Sequence, residues 1–287
     1  MLIHEHLPQS AGYPDRLRRL DKPPACLYTL GDLPNDAPAV AIVGARKCTP
    51  YGEEVARQFA GELARAGVVI VSGLAYGIDS IAQQAAIDAG GKTVAVLAHG
   101  LDRIYPHANR NLAKRILETG GALVSTYPKG TEPLPYRFIE RNWLIAALCG
   151  GTVIIESRAK GGSLHTAKFT NEVGGTVMAV PGGIFDENSA GPNNLIRNGA
   201  IPVTSSSDVL QGLGLPTGLI PASVIRAQNP HEEHILKYLE KHKARGGATE
   251  ALIETTALTA PQFASVISLM EITGKVRNLG GGRWAHR

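Results

Sequence analysis

The sequence predicts an α/β protein: an open, mostly parallel sheet with helices on both faces, followed by a small helical module that ends in a hairpin. From Ala39 onward, short runs rich in Val and Ile alternate with amphipathic stretches at the spacing of strand–helix–strand units. The chain holds 33 glycines against 5% aromatics, a balance that suits many tight strand-to-helix turns better than a β-sandwich. At 287 residues, 44% apolar and 19% charged, it exceeds what one average core needs and is no disordered, coiled-coil or collagen-like chain.

Residues 1–38 carry Pro8, Pro14, Pro23, Pro24, Pro34 and Pro38 and read as an irregular extension packed on the sheet. The runs AVAIV (39–43), VVIVS (68–72), TVAVLA (93–98), ALVS (122–125), TVIIE (152–156) and TVMAV (176–180) read as buried parallel strands of a domain spanning 39–211. Val55, Phe59 and Leu63 recur every fourth residue between the first two runs, marking a helix with one buried side, and Gly67 stands where a C′ glycine ends it. Residues 212–230 lack a period and read as a linker. In 231–287, Ile235, Leu236 and Leu239 share a face of a helix starting near Asn229-Pro230. Helices over 248–254 and 260–270 follow, with Thr259 as N-cap, and GKVRNLGGGRWAHR closes as a hairpin. Three helices and a hairpin make a winged-helix pattern.

Cys26, Cys48 and Cys149 are odd in number and far apart, so neither a disulfide framework nor a CxxC metal site is available and a reducing cytoplasm is expected. No stretch approaches the apolar length of a membrane span, so no membrane partner is expected. Net charge is +4, and residues 226–287 hold 9 Lys+Arg against 6 Asp+Glu, which puts most of the excess in the tail. Such a tail permits nucleic-acid contact and equally fits a solvated basic surface.

Open parallel sheets bind ligands at the carboxyl ends of their strands, so the loops there are the candidate site. In VGARKCTPYG (43–52), Gly44 lets the backbone approach a ligand, and Arg46 offers a fork of donors beside a helix N-terminus; an arginine pairing with a nearby acid is the bland alternative. Neither a GxGxxG fingerprint nor a P-loop is present. SGLAYGIDS (72–80) places Asp79 as a helix cap. AKGGSLHTAK (159–168) sets Gly161, Gly162 and Ser163 ahead of a helix as a second anion-binding mouth, with Lys168 one turn further in. In YRFIERNWLIAALCGG (136–151), Arg137, Phe138 and Arg141 combine two guanidiniums with one ring, as a single-stranded nucleic acid requires. The same combination is more often a partly buried ring with a solvated edge, so this segment alone decides neither. His99, His107 and His165 have no Ser, Cys or carboxylate at catalytic spacing, and no metal-ligand pattern such as HExxH occurs, so no catalytic residue, metal or cofactor is expected.

Taken in order, VGARKCTPYG, SGLAYGIDS, GLDRIYPHAN, RFIERNWLIAAL, GGSLHTA and AVPGG…GPNNLI resemble the motifs of the DprA/Smf family, the bacterial DNA processing protein A, across nearly all of residues 12–210. The resemblance implies a Rossmann-like domain that binds single-stranded DNA, a homodimer, and a role in protecting incoming DNA and loading the RecA recombinase during natural transformation. The stretch ahead of residue 39 is too short for the SAM-like helical domain of longer members, so none is expected. By position, the resemblance implies DNA contacts at Gly44, Arg46, Phe138, Arg141, Asn142, Gly162 and Ser163, with Arg46 the main phosphate ligand and Phe138 the stacking ring. Ala45 replaces the family's usual serine, Pro135 a frequent lysine, Trp143 a common arginine and Ile139-Glu140 a frequent Pro-Ala. Arg137 is the candidate to restore the lost charge.

Two other readings compete. A nucleotide-processing Rossmann enzyme of the lysine-decarboxylase-like type also carries a PGG segment, but its PGGxGTxxE pattern is missing from PGGIFDENS. A transcription regulator would read duplex DNA with the tail, whose APQFASVI (260–267) has no Arg or Lys, so the tail is better assigned to protein contact or dimer support.

Overall fold

A computed structural model describes residues 2–219, 229–242, 246–272 and 275–286. The chain divides into two compact units, Met1–Pro221 and Ala222–Arg287.

The large unit is built on β1 (His4–His6), α1 (Asp15–Arg18), β2 (Leu27–Gly31), β3 (Ala39–Val43), α2 (Pro50–Arg65), β4 (Val69–Ser72), α3 (Ile78–Asp88), β5 (Thr93–Val96), α4 (Arg110–Glu118), β6 (Ala122–Ser125), α5 (Pro135–Ala147), β7 (Gly151–Ile154), α6 (Ser163–Glu172), β8 (Thr176–Ala179), α7 (Ala190–Arg197), β9 (Ile201–Pro202) and α8 (Ser206–Gly212). One sheet has the order β1-β2-β6-β5-β4-β3-β7-β8-β9. Strands β3 to β9 pair in parallel, so the expected Rossmann-like open sheet is present, and all six Val/Ile-rich runs form strands.

Both faces of these strands are covered, which is why their sequences run apolar without alternation. Val40, Ile42 and Ile70 pack with Phe59 and Leu63 of α2, Ala82 of α3 and Leu210 of α8 on one face. Ala41, Val71 and Val96 pack with Leu144 of α5 and Ala167 of α6 on the other. Helix α2 starts and stops as its sequence dictates. Thr49 caps it by accepting from the Gly52 N–H at 3.2 Å, Pro50 opens its first turn, and Gly67 at φ +80° takes the left-handed position after its end.

The N-terminal extension is not irregular. Leu27–Gly31 pairs antiparallel with β6 (Tyr28 opposite Ser125, Leu30 opposite Leu123), and His4–His6 pairs antiparallel with β2. Prolines hide this strand in the sequence, yet Leu27–Gly31 is free of them and alternates, with Leu27 and Thr29 fully buried. Tyr13 and Leu17, also buried, fasten the rest of the segment to the α5 face.

Chain direction across the sheet reverses at β3: β4, β5 and β6 extend one way, β7, β8 and β9 the other. A crevice opens at such a switch point because the loops after neighbouring strands leave toward opposite faces. The linker expected over 212–230 is partly helical: α8 reaches Gly212 and a 3-10 turn spans Thr217–Leu219, while residues 220–228 lie outside the described residues.

The small unit contains α9 (Pro230–Lys241), β10 (Gly247–Ala248), α10 (Thr249–Thr256), α11 (Ala260–Ile272), β11 (Val276–Gly280) and β12 (Arg283–His286). The Asn229 side chain caps α9 by accepting from the Glu232 N–H at 2.9 Å. Ile235, Leu236 and Leu239 of α9 meet Leu252, Phe263, Ile267 and Trp284 in one core. The hairpin forms as expected; β10, too short to leave a sequence signal, adds a third strand in the order β10-β12-β11. Helix, short strand, two helices and hairpin is the winged-helix order.

Candidate functional site

Beyond the carboxyl ends of β3 and β7 lies an open cleft of about 870 Å³, lined by residues 43–47, 157, 158 and 160–163, by Tyr105, and by Phe138, Arg141 and Asn142 of α5. Seven of the nine residues named from the sequence line it: Gly44, Arg46, Phe138, Arg141, Asn142, Gly162 and Ser163.

The helix N-terminus beside Arg46 is not open to an external anion. Glu156, buried just past β7, accepts from the Thr49 backbone N–H at 2.9 Å and the Thr49 hydroxyl at 2.5 Å, and the Asn188 amide reaches it at 3.4 Å. A carboxylate of the protein therefore occupies the positive end of α2. Gly52 is required for this, since a Cβ there would stand 2.4 Å from the Glu156 carboxyl carbon. Gly44 is set by packing too: its Cβ would stand 2.7 Å from Ile78 and 2.9 Å from the Glu156 carbonyl oxygen.

Arg46 itself projects into the cleft. It is exposed and has no acidic partner among the described residues; its recorded contact is the Phe138 ring, whose centre lies 5.8 Å from the guanidinium carbon. Phe138 is half-buried, with Tyr105 tilted against it at 5.7 Å between ring centres. The result is a half-buried ring supported by Tyr105, next to an exposed cation with no acidic partner among the described residues.

The Arg141 guanidinium carbon also lies 5.8 Å from the centre of that ring, but Arg141 is only 6% exposed. Its guanidinium donates to the Gly73 carbonyl at 2.6 Å and to the Val96 carbonyl, and Nε donates to Asn142 Oδ1 at 3.2 Å. Burial lowers its pKa to about 10, against the pull of Asp79. Asp79 does not cap its own helix. Its carboxylate accepts from the Gly73 N–H at 3.0 Å, and burial pushes its pKa above the ordinary carboxylate value, against the opposing effect of Arg141. Arg141 thus ties the ends of β4 and β5 to α5, and Asp79 ties the end of β4 to α3. Gly73 makes room for them, because a Cβ there would meet the guanidinium at 2.6 Å.

On the far wall, the Asn142 amide donates to the Gly162 carbonyl at 3.3 Å, and the Ser163 hydroxyl donates to Ser157 Oγ at 2.9 Å. Helix α6 has no side-chain cap, and Gly162 has open space where a Cβ would be, so this helix mouth stays accessible where that of α2 is closed. Two sequence-named residues are not in the cleft lining. Arg137 donates to the Glu132 carbonyl at 2.5 Å and lies over the Tyr127 and Tyr136 rings, each 5.4 Å from its guanidinium carbon. Lys168 is exposed on α6 and faces Glu172 at 3.7 Å. Lys47 and Lys160 line the cleft instead, with no acidic partner among the described residues. Both flank glycine motifs already singled out, and that adjacency was the available signal. No group of three or more His, Cys, Asp or Glu among the described residues is placed to hold a metal ion.

A cleft at a switch point with free cations and an aromatic ring is consistent with the motif order noted above, and the family model for DNA recombination-mediator protein A matches residues 5–214. The chain belongs to this family. Its relatives include Protein Smf of Escherichia coli, 34% identical over 286 residues that span 97% of this chain and 76% of that protein. DNA processing protein DprA of Bacillus subtilis is 39% identical over 71% of this chain and 69% of its own length. Among solved structures, DNA processing protein A from Streptococcus pneumoniae superposes with a TM-score of 0.67 at 38% identity, covering 73% of this chain and 74% of that one. The Helicobacter pylori protein, whose structure addresses its single-stranded DNA binding mode, superposes with a TM-score of 0.65 at 31% identity, covering 74% and 95%. No described helix is long and apolar enough to cross a membrane.

Proposed function

We propose that this member of the DNA recombination-mediator protein A family binds single-stranded DNA in the cleft beyond β3 and β7. As a cytoplasmic homodimer it protects incoming DNA and loads the RecA recombinase onto it during natural transformation. It acts as a mediator, without catalysis of its own. The carrying observation is the uncompensated guanidinium of Arg46 beside the half-buried Phe138 ring in the cleft lining. Charge for phosphates and a flat face for an unstacked base are what a sequence-tolerant single-strand site needs. The H. pylori relative, with its single-stranded DNA binding mode, supports the same ligand. Gly44, Asn142, Gly162 and Ser163 shape the walls. In this reading Arg141 acts by holding Phe138 and the strand ends, while Arg137 and Lys168 stand outside the contact surface.

Labelled oligo-dT and a duplex of equal length, each titrated at two salt concentrations, test the ligand. Preference for the single strand with a steep salt dependence is expected. Equal affinity for duplex, or turnover of an added mononucleotide, would overturn the reading. RecA filament growth on a single strand, with and without the protein, tests the loading step, and light scattering tests the homodimer.

A further inference from the structure

The loop after β8 presents an apolar tip that the fold does not use. Its base is fastened repeatedly. Asn193 brackets Gly182, its amide donating to the Gly182 carbonyl at 3.0 Å and its Oδ1 accepting from the Gly182 N–H at 3.2 Å. The Tyr51 hydroxyl donates to the Pro181 carbonyl at 2.9 Å. The Asp186 N–H donates to the Gly183 carbonyl at 3.1 Å, and the Ser189 N–H to the Asp186 carbonyl at 3.0 Å. Asn188, in the cleft lining, donates to the Lys47 carbonyl at 3.0 Å. Between these anchors Ile184 is 84% and Phe185 94% exposed. A lone exposed apolar residue is ordinary. A phenylalanine turned fully into water at the tip of a loop tied down on both sides gains nothing from burial within this chain, so its rigid projection suits contact with something else.

The surroundings say what that is. Glu187 is matched by Arg158 at 3.0 Å, and Arg158 lines the cleft together with the unpaired Lys47 and Lys160. Asp186 follows Phe185, and its carboxylate lies by Gly183: a Cβ on that glycine would stand 2.5 Å from Asp186 Oδ2. The order β3-β7-β8 puts this loop two strand spacings from the Arg46 loop, roughly 10 Å along the same sheet edge. The Asn188 contact to the Lys47 carbonyl makes this loop adjoin the Arg46 loop directly.

We infer that Phe185, backed by Ile184, is a second base-stacking platform, which takes a nucleotide of the same single strand where it leaves the cleft on the β8 side. This rests on the reading of the cleft as a single-strand site. An oligo-dT of two nucleotides, at roughly 3.4 Å per nucleotide, is too short to bridge the two loops and occupies the Phe138 end alone, whereas one of about sixteen reaches both rings.

Fluorescence anisotropy with both lengths tests the inference in wild type, Phe185→Ala, Phe185→Trp and Arg46→Ala. Phe185→Ala should weaken the longer oligomer about fivefold or more and leave the shorter within about twofold, while Phe185→Trp keeps wild-type affinity for both. Unchanged affinity of Phe185→Ala for the longer strand, or equal loss on both, overturns the platform. If Arg46→Ala weakens both lengths in that same experiment, the cleft reading stands without it. Failure of wild type to bind either length would instead remove the cleft reading itself.

Discussion

Arg46 holds its guanidinium carbon 5.8 Å from the centre of the Phe138 ring, although the two come from loops and helices more than ninety positions apart in the chain. Tyr105 supports the ring from another side at 5.7 Å. The pairing separates two contributions that binding measurements can resolve, one electrostatic and one stacking.

Arg46→Ala should lower single-strand affinity and flatten the salt dependence, the log–log slope falling by about 0.7 for one lost phosphate contact. Phe138→Ala should weaken binding by ~1–3 kcal/mol with the slope unchanged. Salt titrations of both variants by anisotropy measure this, and a wild-type slope in Arg46→Ala removes it from phosphate contact.

Arg141→Ala should act on folding first. It strands the carbonyls of Gly73 and Val96, a loss of about 1–3 kcal/mol, and removes the cation that acts on the buried Asp79. Adding Asp79→Asn should recover part of that, because the unpaired buried charge disappears. Urea unfolding of the two singles and the double variant makes the comparison; additive losses would show that the two side chains do not interact.

Glu156→Ala leaves the Thr49 N–H and hydroxyl without their acceptor and should destabilise the large unit by ~1–3 kcal/mol. Gly52→Ala drives a methyl into the same carboxylate and should also lower the urea midpoint. A Gly52→Ala midpoint equal to wild type would mean that the carboxylate can move aside.

His99 predicts a pH dependence. The ring is 1% exposed, Nδ1 sits 3.0 Å from the Gly100 carbonyl oxygen, and Nε2 has no hydrogen-bond partner among the described residues. Burial lowers its pKa below the ordinary 6.5, opposed by hydrogen bonding to the Gly100 backbone and assisted by the charges of Arg141 and Arg103. The unfolded chain therefore takes up a proton below pH 6.5 that the folded chain resists, so this contribution to stability is intact above 6.5 and declines as pH falls toward the folded value. Urea midpoints at about pH 7.5 and 5.5 should differ less in His99→Phe than in wild type. Parallel declines would assign the effect to other groups.

Arg137→Ala and Lys168→Ala should leave single-strand affinity within about twofold, and Lys168→Ala should change stability by no more than ~0.5 kcal/mol, since its pair with Glu172 is solvent-exposed. A large affinity loss in either variant would place the DNA path outside the cleft.

The strands from β3 to β8 were legible because burial on both faces writes itself as uninterrupted Val and Ile, the end of α2 because Gly67 follows its last apolar turn, and the start of α9 because Asn-Pro marks a first turn. The strand Leu27–Gly31 was hidden by flanking prolines, although none lies inside it. The cleft's location was readable from glycine loops at strand ends. What each cation does there was not: Arg137, Phe138 and Arg141 are near neighbours in sequence, and only packing against Gly73 and Val96 decides that Arg141 turns inward while Arg137 crosses to Tyr127 and Tyr136. Glu156 escaped notice because it looks like the polar end of an apolar run; its partners at Thr49 and Asn188 are distant in the chain.

The antiparallel addition of β1 and β2 has an effect on how copies of this chain can meet. One margin of the nine-stranded sheet ends in three residues, His4–His6, with Glu5 at the middle; the other ends in two, of which Pro202 has no N–H to offer. Neither margin gives a neighbouring molecule a ladder worth extending, so edge-to-edge aggregation is suppressed at both ends. Any contact between copies made at this sheet has to use side-chain surfaces of its covering helices and loops instead of its margins.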